Sequence, residues 1–210
     1  MDLISLTLNR VLEFIKNPVC SRDKEMSLRD KGLMMFIILG LSFTINFVFV
    51  FLIGALEQFG LFSMEDHAIN QMFDEFSPLI IMFLAIIIAP LFEELIFRAP
   101  LTLFCKYKKV FRWVYYGLAL AFGYVHITNY DMTTNVLLFS PILVAPQIIL
   151  GLFLGLIRVQ LGLIYAMIFH AVYNAILVIP GVTLLYFNES IPEKVQSSTA
   201  LWTSYLCLYF

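Results

Sequence analysis

Charged residues are scarce in this chain. Only 13% of its 210 residues are Asp, Glu, Lys or Arg, and 61% are apolar, whereas a soluble domain has about 25% charged and about 45–50% apolar residues. This composition excludes an ordinary water-soluble domain and predicts a multi-span helical membrane protein. The formal net charge of −2 gives no support to a nucleic-acid partner, and we expect none.

Cysteine is also rare. The three cysteines, Cys20, Cys105 and Cys207, show no CxxC spacing, so they predict neither a disulfide framework nor a thiolate metal site. We therefore expect free thiols. A cleavable signal sequence is not expected either, because polar and charged residues interrupt the apolar positions near the N-terminus.

Long apolar runs fill most of the chain. They predict five membrane spans. The apolar stretch 201–210 is too short to cross a bilayer by itself, and it counts as a span only if it is part of a truncated sixth one. Two prolines, Pro141 and Pro146, are expected to kink the fourth span. The fold class is thus an all-α, polytopic membrane helical bundle with about five or six spans. The predicted spans lie near residues 32–56, 76–104, 113–127, 131–158 and 161–179.

The N-terminal segment has a different pattern. Apolar residues recur at helical spacing and charged residues lie on the other faces, which predicts an amphipathic helix lying in the membrane interface. We therefore divide the chain into residues 1–31, an amphipathic helix with a charged linker, and residues 32–210, a single membrane domain. The predicted apolar face consists of Ile4, Leu8, Val11, Leu12 and Ile15.

Basic residues alternate between loops. The N-terminal segment, the loop 106–112 and the position of Arg158 carry nearly all of the Lys and Arg residues, whereas the intervening loops are acidic. Because cytoplasmic loops are enriched in Lys and Arg, this alternation predicts a cytoplasmic N-terminus and a multi-pass protein of the cell (inner) membrane.

Three ionisable residues interrupt the second span: Glu93, Glu94 and Arg98. Three charges at a helix centre disfavour membrane insertion by about 8–10 kcal/mol, and about twenty apolar residues favour it by about 6–12 kcal/mol. Such a cluster is therefore a functional hypothesis. Glu94 and Arg98 are four residues apart, in the order that favours an ion pair, whereas Glu93 points about 100° away and is free to face a cavity.

Further polar residues lie in other spans. Two histidines, His126 and His170, stand in apolar sequence, and Asn174 follows His170 by four residues and so shares its face. Counted from the basic residues at the ends of the spans, Glu93, His126 and His170 all lie about 18–21 Å into the membrane. This common level indicates one site built by three helices. Phe122 shares a helical face with His126.

This residue set is suited to hydrolysis of a peptide bond. Glu93 with His126 could hold and deprotonate a water molecule, and His170 with Asn174 could donate hydrogen bonds to the oxyanion. The same Glu93, His126 and His170 could instead bind zinc, although the HExxH sequence of many zinc proteases is absent. The residue types leave both possibilities open.

Three ordered motifs resemble those of the CPBP intramembrane proteases. They are Glu93-Glu94-x-x-x-Arg98, Phe122-x-x-x-His126 and His170-x-x-x-Asn174. That family includes the CAAX prenyl endopeptidases of the Ras-converting type and bacterial relatives linked to bacteriocin processing and self-immunity. In place of the Gly that often follows the arginine, this chain has Ala99-Pro100.

The resemblance implies a role for each motif residue. It makes Glu93 the catalytic base, His126 its partner on the water, and His170 with Asn174 the oxyanion site, supported by Glu94, Arg98 and Phe122. It also implies a membrane-associated peptide substrate and a cavity open toward the cytoplasm. From the residues themselves we expect no cofactor, with zinc as the alternative, because two glutamates and two histidines spread over three spans need not chelate one ion.

Two other functions are compatible with membrane helices that carry Glu and His. One is a non-enzymatic bacteriocin-immunity or scaffold protein on the same fold, although all motif residues are present. The other is a proton-coupled transporter, which the absence of a visible inverted repeat of the spans disfavours.

Overall fold

The structure is a computed structural model that describes residues 3–21, 26–61 and 75–188, with side chains from residue 4 to residue 184. The described residues form helices and no strand. The helices are α1 (Leu3–Lys16), α2 (Leu28–Gln58), α3 (Pro78–Phe104), α4 (Lys108–Val125), α5 (Thr134–Leu143), α6 (Ala145–Gln160) and α7 (Leu163–Asn188).

The predicted all-α membrane bundle is confirmed. Within the described residues, four helical segments are long and apolar enough to cross a membrane: α2, α3, the pair α5–α6, and α7 up to Leu184. The remaining predicted span corresponds to α4, which is amphipathic and begins with Lys108 and Lys109, so its membrane crossing stays a prediction. The stretch 201–210 lies outside the described residues.

Prolines shape α3. It contains two π-helical segments, Leu84–Ile88 and Glu94–Arg98, and each is followed by an Ala-Pro pair, Ala89-Pro90 and Ala99-Pro100. A proline lacks the N–H that its helix turn needs, and its ring clashes with the carbonyl of residue i−4. The turn before each proline is widened instead, and the N–H of Ala99 donates to the Glu94 carbonyl at 2.9 Å.

The predicted kink in the fourth span is a helix break. Val144 separates α5 from α6, Pro146 lies in the first turn of α6, and Pro141 lies inside α5. The span begins at Thr133, whose hydroxyl accepts the N–H of Val136 at 3.2 Å and so caps α5.

Glycines allow α4 and α6 to approach closely. A Cβ on Gly155 would lie 2.7 Å from Cε2 of Tyr115, and a Cβ on Gly151 would lie 3.2 Å from both Cα of Ala119 and Cδ1 of Phe122. The Gly151-x-x-x-Gly155 spacing is therefore a packing contact between helices, as small residues at membrane-helix interfaces are in general.

The amphipathic helix α1 packs against the end of the bundle. Its Val11 and Phe14 are buried, the Tyr116 hydroxyl donates to the carbonyl of Ile15 at 2.6 Å, and Arg112 Nη2 donates to the carbonyl of Lys16 at 2.9 Å. The predicted apolar face is divided between two environments, because Ile4 and Leu12 are 55% and 49% exposed and face away from the bundle.

The basic regions of the sequence meet at one end of the bundle. The end of α1 contacts the first turns of α4 through Arg112, and Arg158 contacts the end of α3, where its Nη2 donates to Thr102 Oγ1 at 2.9 Å. This arrangement is the one that alternate basic loops require. Which side of the membrane this end faces stays a prediction.

The expectation of three free thiols is wrong for two of them. Cys20 and Cys105 form a disulfide across 85 residues of sequence, with Cα atoms 5.3 Å apart. The sequence separation gave no indication of this pairing. The contact arises because the residues after α1 lie beside the turn between α3 and α4.

Thiol counting will test this pairing. Purified protein prepared without reductant is expected to take up one equivalent of an alkylating reagent after denaturation, at Cys207, and three equivalents after reduction, as measured by intact mass. The variant Cys20→Ser should take up two equivalents before reduction. Three equivalents in the unreduced wild-type protein would contradict the pairing.

Candidate active site

The second π-helical segment of α3 carries the charged cluster. Glu94 and Arg98, at its two ends, are 0% and 2% exposed, whereas the side chain of the preceding Glu93 is 23% exposed. The two adjacent glutamates therefore have different environments, one enclosed and one partly exposed. π-Helical segments often occur at functional sites.

Arg98 balances the charge of Glu94. Its Nη1 lies 3.6 Å from Glu94 Oε1, and its guanidinium carbon lies 3.9 Å from the centre of the Phe122 ring. An unpaired charge in this environment would destabilise the fold by several kcal/mol. Removing one partner of a buried ion pair typically lowers the stability of a protein by about 3–5 kcal/mol. The aromatic face adds about 0.5–2 kcal/mol as a cation–π contact.

His170 on α7 lies between the two glutamates. Its Nδ1 is 3.1 Å from Glu94 Oε1 and its Nε2 is 3.5 Å from Glu93 Oε2. The ring is almost completely buried, so these carboxylates are its polar environment. The imidazole thus links the enclosed glutamate to the partly exposed one.

Both ring nitrogens of His170 face carboxylate oxygens. A neutral imidazole carries one N–H, so it can donate to only one of the two glutamates. The shorter of the two distances is the one to Glu94.

The Phe122 ring contacts the other side chains of the site. In addition to its face contact with Arg98, its centre lies 4.9 Å from the His126 ring, 5.8 Å from the His170 ring and 5.5 Å from the Phe97 ring, each in an edge-on arrangement. Phe122 therefore separates the cluster from the close α4–α6 contact and fixes the relative positions of its members.

His126 is held in one orientation by its own helix. Its Nδ1 lies 2.8 Å from the carbonyl oxygen of Phe122, and only a protonated Nδ1 can donate to a carbonyl, so Nε2 is the acceptor of the neutral ring. The side chain is buried.

Asn174 compensates for the proline in α3. Its Nδ2 donates to the carbonyl of Ala85 at 2.8 Å. In the first π-helical segment the N–H of Ala89 donates to the carbonyl of Leu84. By the same spacing the carbonyl of Ala85 would accept a hydrogen bond from residue 90, but that residue is Pro90, which has no N–H. Asn174 replaces it, and one of its two N–H groups is thereby engaged away from any substrate.

The structure brings Glu93, Glu94, Arg98 and His170 into direct contact, places Phe122 against Arg98 and His170, and places His126 against Phe122. It does not arrange Glu93, His126 and His170 as ligands, since no group of three His, Cys, Asp or Glu side chains in the described part of the chain could hold a metal ion. Both nitrogens of His170 instead face carboxylates. The expectation of no cofactor, with zinc as the alternative, stays a prediction.

Arg158 is a residue whose structural role the sequence reasoning missed. Its Nε donates to the carbonyl of Arg98 at 3.1 Å and its Nη2 donates to Thr102 Oγ1, so it links α6 to the turn that carries the ion pair. The signal that could have identified this role is its position in an apolar run, where an arginine is as costly as the glutamates.

Gly151 is expected to set the position of Phe122. The change Gly151→Ala would place a methyl group against Phe122 and Ala119 and should destabilise the protein by about 1–3 kcal/mol, as overpacking does. The control is Gly117→Ala, because a Cβ there meets nothing within 4 Å; it should leave stability unchanged or raise it by about 0.5–1 kcal/mol. Thermal unfolding in detergent measures both, and equal melting temperatures would contradict the proposed contact.

A bundle of membrane-length helices that encloses carboxylates, a guanidinium and imidazoles defines a helical membrane protein with an internal ionisable site. The family model described as type II CAAX prenyl endopeptidase Rce1-like matches residues 75–176. The predicted resemblance to that family of membrane proteases is confirmed over these residues. The match includes every residue of the candidate site. No curated protein and no solved structure matches the chain.

Proposed function

We propose that the protein is an intramembrane endopeptidase that hydrolyses peptide bonds of membrane-associated peptides with a water molecule activated by Glu93. The observation that carries the proposal is the difference between the two glutamates. Glu94 is fully buried and paired with Arg98, whereas Glu93 is partly exposed and has its carboxylate beside His170. A carboxylate that is reachable by water and held by a proton carrier is suited to general-base catalysis.

Glu93 takes a proton from the attacking water. The water oxygen forms a bond to the carbonyl carbon of the substrate, and the carbonyl oxygen becomes an oxyanion. The proton received by Glu93 then passes to the peptide nitrogen, the C–N bond breaks, and the products are a carboxylic acid, which retains the second proton of the water, and an amine. These reaction steps need one residue that acts first as a base and then as an acid.

The two histidines have distinct roles in the proposal. His126, whose Nδ1 is held by the Phe122 carbonyl, has Nε2 available to accept a hydrogen bond from the water and orient it toward Glu93. His170 in its protonated form supplies positive charge and an N–H beside the reacting centre, where an oxyanion is stabilised. Asn174 holds the first π-helical segment through Ala85 and has one N–H left for the oxyanion.

The substrate is proposed to be a peptide that reaches the site from within the membrane or its surface. CAAX-like peptides and bacteriocin or leader peptides are the two classes that the family suggests. The cytoplasmic orientation of the basic end of the bundle and residence in the cell membrane belong to the same proposal. Zinc is not part of it.

Cleavage of a peptide library is the experiment that tests this function. Purified protein in liposomes is incubated with membrane-associated peptides, prenylated and unprenylated, and the products are identified by mass spectrometry. Discrete internal cleavage that persists with strong chelators is the expected result. If chelators abolish cleavage and zinc restores it, the metal-free mechanism is wrong.

A biological assay separates the enzyme from a non-enzymatic immunity or scaffold protein. The three variants Glu93→Ala, His126→Ala and His170→Ala are compared with the wild type at equal expression levels. Loss of the phenotype in all three is expected of a peptidase. Full retention of the phenotype in all three would favour the non-enzymatic role.

A further inference from the structure

A cavity with basic side chains in its wall lies at the basic end of the bundle, and none of the candidate active-site residues lines it. It has a volume of about 320 Å³ and is bounded on one side by the residues that follow α1, including Cys20, and on the other by Cys105 and the first turns of α4. Since a water molecule takes up about 30 Å³ of liquid volume, the cavity is large enough for a phosphate group with part of its ester.

Three cations line this cavity: Lys108, Lys109 and Arg112. No acidic side chain lines it within the ranges that the structure covers, and the neighbouring sequence 22–25 contributes two residues of each sign. Arg112 is held in place because one of its nitrogens donates to the carbonyl of Lys16. The cavity wall is therefore positively charged.

The position of these cations favours an anion. They lie in the first five residues of α4, and the first turn contains no acidic residue and no side-chain cap. The N-terminus of a helix carries a partial positive charge and favours anions. A negatively charged group in the cavity would therefore be attracted both by the three side chains and by the start of the helix.

The surroundings of the cavity indicate where the anion comes from. Large apolar and aromatic side chains next to it are exposed: Leu103 by 74%, Tyr107 by 64%, Val110 by 45% and Trp113 by 78%. Aromatic side chains concentrate at the level of the lipid headgroups. The outward face of α1 is apolar as well, with Ile4 and Leu12 exposed. The cavity thus lies between surfaces suited to contact with lipid.

We propose that this cavity binds the phosphate of an anionic phospholipid headgroup. The basic side chains pair with the phosphate, and the exposed apolar side chains around them contact the acyl chains. A bound lipid would hold the end of α1 against the start of α4, close to the helix that carries Glu93. The proposal concerns lipid binding and does not depend on the peptidase function.

Lipid binding to the full-length protein in nanodiscs tests the proposal. Phosphatidylglycerol is titrated into phosphatidylcholine discs, and bound lipid is counted by native mass spectrometry together with the melting temperature. The double variant Lys108→Gln/Lys109→Gln leaves Arg112 in place and should weaken retention of phosphatidylglycerol by about tenfold or more, as loss of two lysines near a lipid surface predicts.

A charge-matched control distinguishes a site from general surface charge. The double variant Lys31→Gln/Lys106→Gln removes two lysines that do not line the cavity, and its retention of phosphatidylglycerol should equal that of the wild type. Equal losses in both double variants, or no loss in the first, would overturn the proposal. The melting temperature in pure phosphatidylcholine shows that each variant is folded.

Inorganic phosphate separates a lipid from a soluble anion. It is added at millimolar concentration to the protein in phosphatidylcholine, with the melting temperature as the measurement. Stabilisation by phosphatidylglycerol and none by phosphate supports the lipid site. Stabilisation by phosphate that phosphatidylglycerol does not increase would overturn the assignment to lipid.

Discussion

Replacing Glu93 with Gln is expected to reduce peptide hydrolysis by about 10²–10⁴-fold, the contribution of a positioned general base. Glutamine has nearly the shape of glutamate but cannot accept a proton from water. Because the Glu93 side chain is partly exposed and Arg98 is paired with Glu94 instead, this change should leave the fold intact. The measurement is kcat/KM on a peptide that the wild-type protein cleaves, with the melting temperature recorded in parallel.

Glu75→Gln is the matched control for this prediction. Glu75 is an exposed glutamate at the start of the same region, before α3, and its neutralisation should leave kcat/KM unchanged. Cleavage by Glu93→Gln at the wild-type rate would remove Glu93 as the base. A loss of cleavage with a lowered melting temperature would instead point to a structural role.

Replacing Arg98 with Met is expected to destabilise the protein by about 3–5 kcal/mol, because the change leaves the Glu94 carboxylate buried without its partner. Glu94 is fully enclosed, so water cannot replace the guanidinium. The contact of the guanidinium with the Phe122 ring, at 3.9 Å, is lost at the same time. Unfolding by heat or denaturant in detergent measures the effect.

The double variant Glu94→Gln/Arg98→Met provides the control. Since both charges are removed, it should recover a large part of the stability lost in Arg98→Met, as replacement of whole buried pairs often does. If the double variant is no more stable than Arg98→Met, the ion pair is not the reason for the loss. The packing of the arginine side chain against Phe122 would then be the cause.

The two predictions assign different functions to neighbouring residues. Glu93→Gln should affect activity and not stability, whereas Arg98→Met should affect stability first. The sequence led to this division because the spacing of four residues joins Glu94, not Glu93, to Arg98. The exposed fractions of the two glutamates in the structure agree with it.

Hydropathy and residue spacing were sufficient to predict the general architecture. Long apolar runs must be helical in a membrane, because every backbone polar group has to be satisfied within its own segment. The predicted fold class and the membrane-length helices follow from that requirement alone. The ordered motifs from Glu93 to Asn174 were sufficient to predict the family resemblance.

The internal structure of α3 was harder to predict from the sequence. Pro90 indicated that the helix would not be straight, but the sequence did not show that its turns widen into π-helical segments. Nor did it show that Asn174 would supply the donor that Pro90 lacks. Such compensation depends on which side chain of another helix lies opposite the free carbonyl of Ala85, and that is decided by packing.

The sequence by itself determined which residues are unfavourable in a membrane and which helices carry them. The free-energy cost of a charge in an apolar environment depends only on the residue type and its position in the apolar run. Only the tertiary structure decided their partners: His170 lies between Glu93 and Glu94, Phe122 beneath Arg98, and Cys20 beside Cys105. Contacts between distant segments depend on how helices rotate and cross, and small residues such as Gly151 control that geometry through close packing.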